Sequence, residues 1–278
     1  MRKLKQLFIY GWLCLIVACG NKGLQKTSSE NGITAGKENV RVLCYNIHHA
    51  NPPSKPGIID LEAIANVIRL QTPDVVALQE VDVNTNRSGK SSNQAADLAR
   101  LSGMPYYFFA RAIDHDGGEY GVAILSRFPM QDMKNRPLPT EEETKGEHRT
   151  LASAVIKLPG GKKMLFASTH LDAQRADTNR YLQINKIVEV LQKEKMPVVI
   201  AGDLNAHPTT RIITKLDQYF TRSCVVNCAH TVPVINPRNT IDYVAFRPSN
   251  KFSVVEHKVI DEKYASDHLP VMVVLRVK

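Results

Sequence analysis

Apolar and polar positions along the chain fall into two alternating kinds of pattern. Short apolar runs rich in β-branched residues predict strands: RVLCYNI (Arg41–Ile47), DVVALQE (Asp74–Glu80) and PVVIAGD (Pro197–Asp203). Between them lie segments with apolar residues at helical spacing. LEAIANVIRLQ (Leu61–Gln71) predicts a helix, as does NQAADLARLSG, with Gly103 as its stop, and a long amphipathic helix is expected over Asp177–Lys195. YYFFARA, YGVAILS, LASAVIKL and KMLFASTH are four successive predicted strands, the last two joined by a hairpin turn at Gly160-Gly161. IDYVAF, FSVVEH and VMVVLRV close the chain as strands. Several β–α–β units mixed with hairpins predict an α/β sandwich of mixed sheets.

The N-terminus departs from this pattern. MRKLK is a basic start, and QLFIYGWLCLIVA is an apolar core too short for a membrane span, ending at LIVAC. Small or aliphatic residues ahead of Cys19 resemble a bacterial lipobox. That resemblance implies a signal peptide over residues 1–18, cleavage before Cys19 and acylation of that residue. Residues 19–39 are polar and rich in Gly, Ser and Thr, as expected of a flexible tether. The folded domain is expected over residues 40–278, as a monomer on the membrane of an exporting bacterium, periplasmic or at the cell surface.

Composition narrows the class only a little. The 278 residues are 43% hydrophobic and 23% charged, an ordinary globular mix, with a net charge of +9. Residues 1–18 hold three cations and no acid, so their removal lowers the net charge to +6. Cys44 lies inside an apolar run and is read as an inert buried thiol. Cys224 and Cys228 form a CVVNC segment able to close a small disulfide in an oxidising compartment.

The chemistry gathers where the predicted strands end. Asn46 follows LCY, Glu80 ends DVVALQE, and His170 ends KMLFAST. Asp203 and Asn205 follow VVIAG, Asp242 sits in TIDYV, and Asp267 and His268 precede LPVMVV. Ligand sites in α/β folds collect at strand ends, where loops converge over a rigid sheet. Carboxylate and amide oxygens suit a hard cation, Mg²⁺ or Mn²⁺, and imidazoles beside an Arg suit phosphate chemistry. His48 and His49 are read as pocket wall, because hard cations rarely prefer imidazole. His115 and His148 are read as solvated, and Tyr120 as packing.

YNIHHA, PDVVALQEVD, YGVAILSRFP, EHRTLASAVI, STHLD, GDLNAHP, TIDYV and SDHLPV, in that order, resemble the endonuclease/exonuclease/phosphatase superfamily over Val40–Lys278. The resemblance implies a four-layer α/β/β/α sandwich of two mixed sheets flanked by helices. It implies metal ligation by Glu80, Asn46 and Asp267. It implies that Asp203 orients or deprotonates water, that Asn205 donates to phosphate, and that His268 acts at the phosphate with Asp242 fixing its tautomer. Asp203 and His268 are assigned as a unit. His170 stands for a second active-site imidazole and Arg149 for a phosphate-holding cation.

The expected reaction is hydrolysis of a phosphomonoester or phosphodiester by in-line attack of water. Small molecules, phospholipid headgroups and nucleic acids are all open as substrates. A nuclease would want a basic groove, whereas the only Trp lies in the signal and EEETKGEHR (Glu141–Arg149) is acidic. Nuclease activity is the alternative within the enzyme class. A non-catalytic lipid-anchored binder of a phosphorylated ligand is the alternative outside it.

Overall fold

The computed structural model describes residues 39–278. The expectations for the signal, Cys19 and most of the tether lie outside the described residues. One six-stranded sheet contains β1 (Asn39–Asn46), β2 (Val75–Val83), β3 (Tyr106–His115), β4 (Gly118–Ser126), β11 (Phe252–Val259) and β12 (Val271–Val277), in the order β11-β12-β1-β2-β4-β3. The other contains β5 (Met130–Pro137), β6 (Thr150–Lys157), β7 (Lys163–His170), β8 (Val198–Asp203), β9 (Thr221–Arg222) and β10 (Asp242–Arg247), in the order β5-β6-β7-β8-β10-β9. Each sheet has one parallel pair, β1 with β2 and β7 with β8, and the rest are antiparallel.

Both parallel pairs are bridged by a crossover helix, α1 (Leu61–Gln71) and α3 (Thr178–Leu191). The helices cover the outer faces, so every central strand is buried on two sides. Val42, Cys44, Val75 and Ala77 meet Ala152, Ala154, Phe166, Val199 and Ala201 between the sheets. Their neighbours Leu43, Tyr45, Val76 and Leu78 pack instead on Ile64 and Ile68 of α1 and on Leu98 of α2 (Gln94–Ser102). On the far side, Leu165, Ala167, Val198 and Ile200 pack on α3 and on α4 (Arg211–Asp217). This two-sided burial explains the unbroken apolar runs, and the layers are α/β/β/α as the resemblance implied.

The helix signals match closely. The Asp60 carboxylate accepts from the Ala63 N–H at 3.0 Å, which starts α1 at Leu61. Asn93 caps α2 in the same way, and Gly103 ends it at φ 70°. α3 is shorter than the expected Asp177–Lys195. Leu191 is its last buried residue, and Arg247 donates to the Leu191 and Glu194 carbonyls at 3.0 and 3.1 Å, closing the helix there. The four successive predicted strands do not share a sheet: β3 and β4 pair in one, β6 and β7 in the other. Between those pairs lies β5, whose MQDMKNRP has no apolar alternation because it is an exposed edge strand. Cys224 and Cys228 are disulfide-bonded, and Cys44 is a buried free thiol.

Candidate active site

Three polar residues line up across the second sheet through strand register alone. His170, the last residue of β7, lies opposite Asp203, the last of β8. Asp203 in turn lies opposite Asp242, the first of β10. Gly202 lets β7 approach closely, since a Cβ there would overlap the Thr169 carbonyl oxygen. Arg149 immediately precedes β6, and its Nη1 donates to His170 Nδ1 at 3.2 Å. Asn205, at φ 46°, turns back over this row. Its N–H donates to Asp203 Oδ1 at 2.8 Å, while Nδ2 donates to the Leu171 carbonyl and lies 3.0 Å from His170 Nε2.

The first sheet contributes through irregularity. β2 and β4 slip out of register between Leu78 and Val81, and Glu80 sits in that slip at φ 57°. Asn46 ends β1, fully buried, and donates from Nδ2 to Glu80 Oε1 at 3.0 Å and to Asp203 Oδ2 at 3.1 Å. One amide therefore joins the two sheets. The loop between β11 and β12 brings in Asp267 and His268. Ser266 Oγ pins it by donating to the Asn46 carbonyl at 2.7 Å, and Val234 N–H donates to the Asp267 carbonyl. His268 Nδ1 is 3.0 Å from Asp242 Oδ2, and its Nε2 faces Asp203 Oδ2 at 3.8 Å. Eight of the nine residues expected at the site thus lie at the Asp203 carboxylate or touch its immediate partners, and Asp267 joins them through the charge it places on His268.

Burial and close charges set the protonation of the cluster. Burial raises the Asp203 carboxyl and the adjacent Asp242 raises it further, to about 7. Burial alone would lower His268, but Asp242, Asp203 and Asp267 outweigh it and hold the imidazole up at about 10. His170 goes the other way, kept well below its ordinary value by burial and then by Arg149 and His268. Two imidazoles in one site therefore differ in charge near neutrality, His268 cationic and His170 neutral.

Beside the row is a cleft of about 90 Å³ lined by Glu80, Arg87, His115, Tyr120 and Glu147. His115 and Tyr120 stand at this cleft rather than in bulk solvent or plain packing. Arg87 was not legible as a site residue. It lies on the loop after β2 and donates twice to the buried Asp82 carboxylate, at 2.7 and 2.8 Å. Its only sequence signal is a carboxylate two positions beyond Glu80. Glu147 pairs with Arg149 at 2.7 Å, so the guanidinium expected to hold phosphate is already half committed. His148 is exposed, as read from the sequence.

Two groups of described residues could hold a divalent ion, with ligand atoms all within 4.8 Å of one another: His48, His49 and Glu80, and Asp203, Asp242 and His268. Of the expected set, Glu80 and Asp267 offer carboxylate oxygens, which fit a hard cation, whereas Asn46 turns Nδ2 to Glu80 and Oδ1 to the His48 N–H and would join them only with its amide turned over. Glu80 is half-buried in the cleft with no ion pair among the described residues, a setting where a carboxylate gains from a cation.

Comparisons place this arrangement in a known class. The model of the Endonuclease/Exonuclease/phosphatase family matches residues 43–268, and the chain belongs to that family, whose members hydrolyse phosphate esters. It is 24% identical over 243 residues to the uncharacterized protein YbhP of Escherichia coli (strain K12), covering 83% of this chain and 93% of YbhP. It superposes with a TM-score of 0.74 and 27% identity on an endonuclease/exonuclease/phosphatase from Beutenbergia cavernae, covering 87% of this chain and 72% of that one. A Bacteroides thetaiotaomicron mannosyl-6-phosphatase shares the fold at TM-score 0.66 and 19% identity, over 85% of this chain and 99% of its own.

Proposed function

We propose that this protein hydrolyses a compact phosphate ester in the presence of Mg²⁺ or Mn²⁺, by in-line attack of water on phosphorus. The observation that carries the reading is the surround of Asp203 Oδ2: the Asn46 amide at 3.1 Å, His170 Nε2 at 3.5 Å and His268 Nε2 at 3.8 Å. Glu80, Asn46 and Asp267 would hold the ion, which when bound offsets charge on the phosphoryl oxygens. Asp203, raised to about 7, is suited to accept the proton of the attacking water near neutral pH. His268, cationic and fixed by Asp242, is suited to donate to the phosphoryl group or to the departing oxygen. Water oxygen joins phosphorus, the ester P–O bond breaks, and the leaving oxygen departs as an alcohol. Arg149, with Asn205 and neutral His170 beside it, is suited to hold the non-bridging oxygens.

A compact substrate is favoured over duplex nucleic acid because the cleft is small and Glu147 and the Glu141–Glu143 run would repel a long polyanion. The test is release of nitrophenol from mono- and diester probes with Mg²⁺ and then with excess EDTA. Turnover lost in EDTA and restored by Mg²⁺ is expected. A tightly held but unhydrolysed phosphate ligand would instead favour the binding protein, and nicking of supercoiled plasmid at comparable rates would favour the nuclease.

We further infer, from the sequence, that Cys19 is acylated and tethers the enzyme to a bacterial membrane. Cys19→Ser is expected to move the protein from the membrane to the soluble fraction, and unchanged membrane association would remove this inference.

A further inference from the structure

Among the described residues, the turn after β1 is built unlike any other. His48, His49 and Ala50 take φ of 46°, 44° and 61° in succession. Left-handed conformation costs a non-glycine residue roughly 1–2 kcal/mol, so three in a row require support from outside. That support is present. Asn46 Oδ1 accepts from the His48 N–H at 3.1 Å, and the buried Gln94 donates from Nε2 to the His49 carbonyl at 2.7 Å. The Ala50 and Asn51 N–H groups close back on Ile47 and His48 carbonyls at 2.8 Å.

What this geometry delivers is a pair of imidazoles facing Glu80. The two rings meet edge to face at 4.6 Å. His48 Nδ1 is 2.8 Å from the Asn51 carbonyl, an acceptor, so Nδ1 carries the proton and Nε2 keeps its lone pair. Asn51 is itself fixed, donating to the Lys55 and Ile58 carbonyls. A backbone carbonyl on the far nitrogen is the support that orients metal-binding imidazoles. His49 Nδ1 is buried with no hydrogen-bond partner among the described residues. Nitrogens of both rings and a Glu80 oxygen lie within 4.8 Å of one another. An ion with bonds of about 2.1 Å needs ligands roughly 3.5 Å apart, a small rotation away. The nearby Arg87 cation is taken up by Asp82 at 2.7 Å.

We propose that His48, His49 and Glu80 form a second cation site, selective for a borderline first-row ion such as Zn²⁺ or Co²⁺ over Mg²⁺. Mixed imidazole and carboxylate ligation sets it apart from the all-oxygen set of Glu80, Asn46 and Asp267. Glu80 joins the two: Oε1 lies against Asn46, and a carboxylate oxygen lies within 4.8 Å of nitrogens of both imidazoles. The sequence reading of both histidines as pocket wall is thereby revised.

The experiment is equilibrium dialysis of the whole protein against Co²⁺ in excess Mg²⁺, followed by metal analysis and the visible ligand-field spectrum. Retention of one Co²⁺ per chain is expected, with the spectrum of nitrogen-containing, low-coordinate ligation. His48→Gln and His49→Gln are each expected to weaken Co²⁺ about tenfold to a hundredfold, and Asp267→Asn to leave it within about threefold. Circular dichroism checks the fold of each variant; if His49→Gln unfolds, His48→Gln and paramagnetic broadening of imidazole NMR signals in the unaltered protein decide. Complete displacement of Co²⁺ by Mg²⁺, or equal Co²⁺ affinity in the His48 variant, would overturn the proposal. Neither readout depends on turnover, so Mg²⁺-supported hydrolysis in the unaltered protein can stand or fall separately.

Discussion

The two sheets reach the same pocket by opposite means. In the second sheet, His170, Asp203 and Asp242 sit side by side because neighbouring strands pair in regular register. In the first, Glu80 lies in a register slip and His48–Ala50 in a left-handed turn, with Asn46 between them. The regular side yields closely hydrogen-bonded groups whose charges are set by one another: a carboxyl raised to about 7 and an imidazole raised to about 10. The irregular side yields groups left with spare capacity: among the described residues, a half-buried carboxylate has no ion pair and a buried imidazole nitrogen has no hydrogen-bond partner. Regular pairing suits proton handling, which needs fixed mutual distances. Departure from it suits ligand capture, which needs unsatisfied groups held in place by strain.

The largest effect expected from this contrast is on the regular side. Asp203→Asn and His268→Ala should each lower kcat by about 10²–10⁴, read with a nitrophenyl ester and with circular dichroism to verify folding. Near-normal turnover in either would mean the row is structural only. Glu80→Gln should keep the fold and raise the Mg²⁺ needed for half-maximal rate by about 10–100-fold, with partial rescue at high Mg²⁺. An unchanged metal requirement would take Glu80 out of the ligand set.

Stability should split the same way. Gly202→Ala forces a methyl group into the Thr169 carbonyl and should cost about 1–3 kcal/mol in denaturant unfolding. Glu80→Gly should release left-handed strain and raise stability by about 1 kcal/mol while abolishing turnover. A loss of stability in the glycine variant would show that position 80 is not strained.

The smallest effect is in pH. Burial depresses both His170 and His257, so each binds fewer protons folded than unfolded. Their contribution is complete above the unfolded value of about 6.5 and is lost as pH falls below it. Asp203, held up at about 7, binds more protons folded than unfolded and gains stability over the same range, offsetting part of this loss. The assignment is therefore read from a difference: His257→Gln should make the urea midpoint less sensitive to acid between about pH 6.5 and pH 5. An unchanged pH dependence in that variant would contradict it.

Much of the site was legible because its residues interrupt apolar runs. Asn46, Glu80, His170 and Asp203 each stand where a buried strand turns polar, and Asp242 and His268 each stand just ahead of a further apolar run. What escaped was of two kinds. β5 has no buried face to impose alternation, so its strand character comes only from pairing with β6. Arg87 and His115 enter the cleft from loops and strand ends beside β2 and β4, where nothing in their local sequence distinguishes them from solvated residues.

By itself the sequence determined most of the strands and helices, where many of them begin and end, and which polar residues would crown them. Those properties are local: a period of two or of 3.6 residues and a capping side chain act over a few positions. Only the tertiary structure decided how the strands divide between two sheets, which carboxylate faces which imidazole, and that Glu80, His48 and His49 are held in left-handed backbone. Those depend on hydrogen bonds between segments as far apart as Asn46 and Asp203, and no local pattern encodes the partner at that distance.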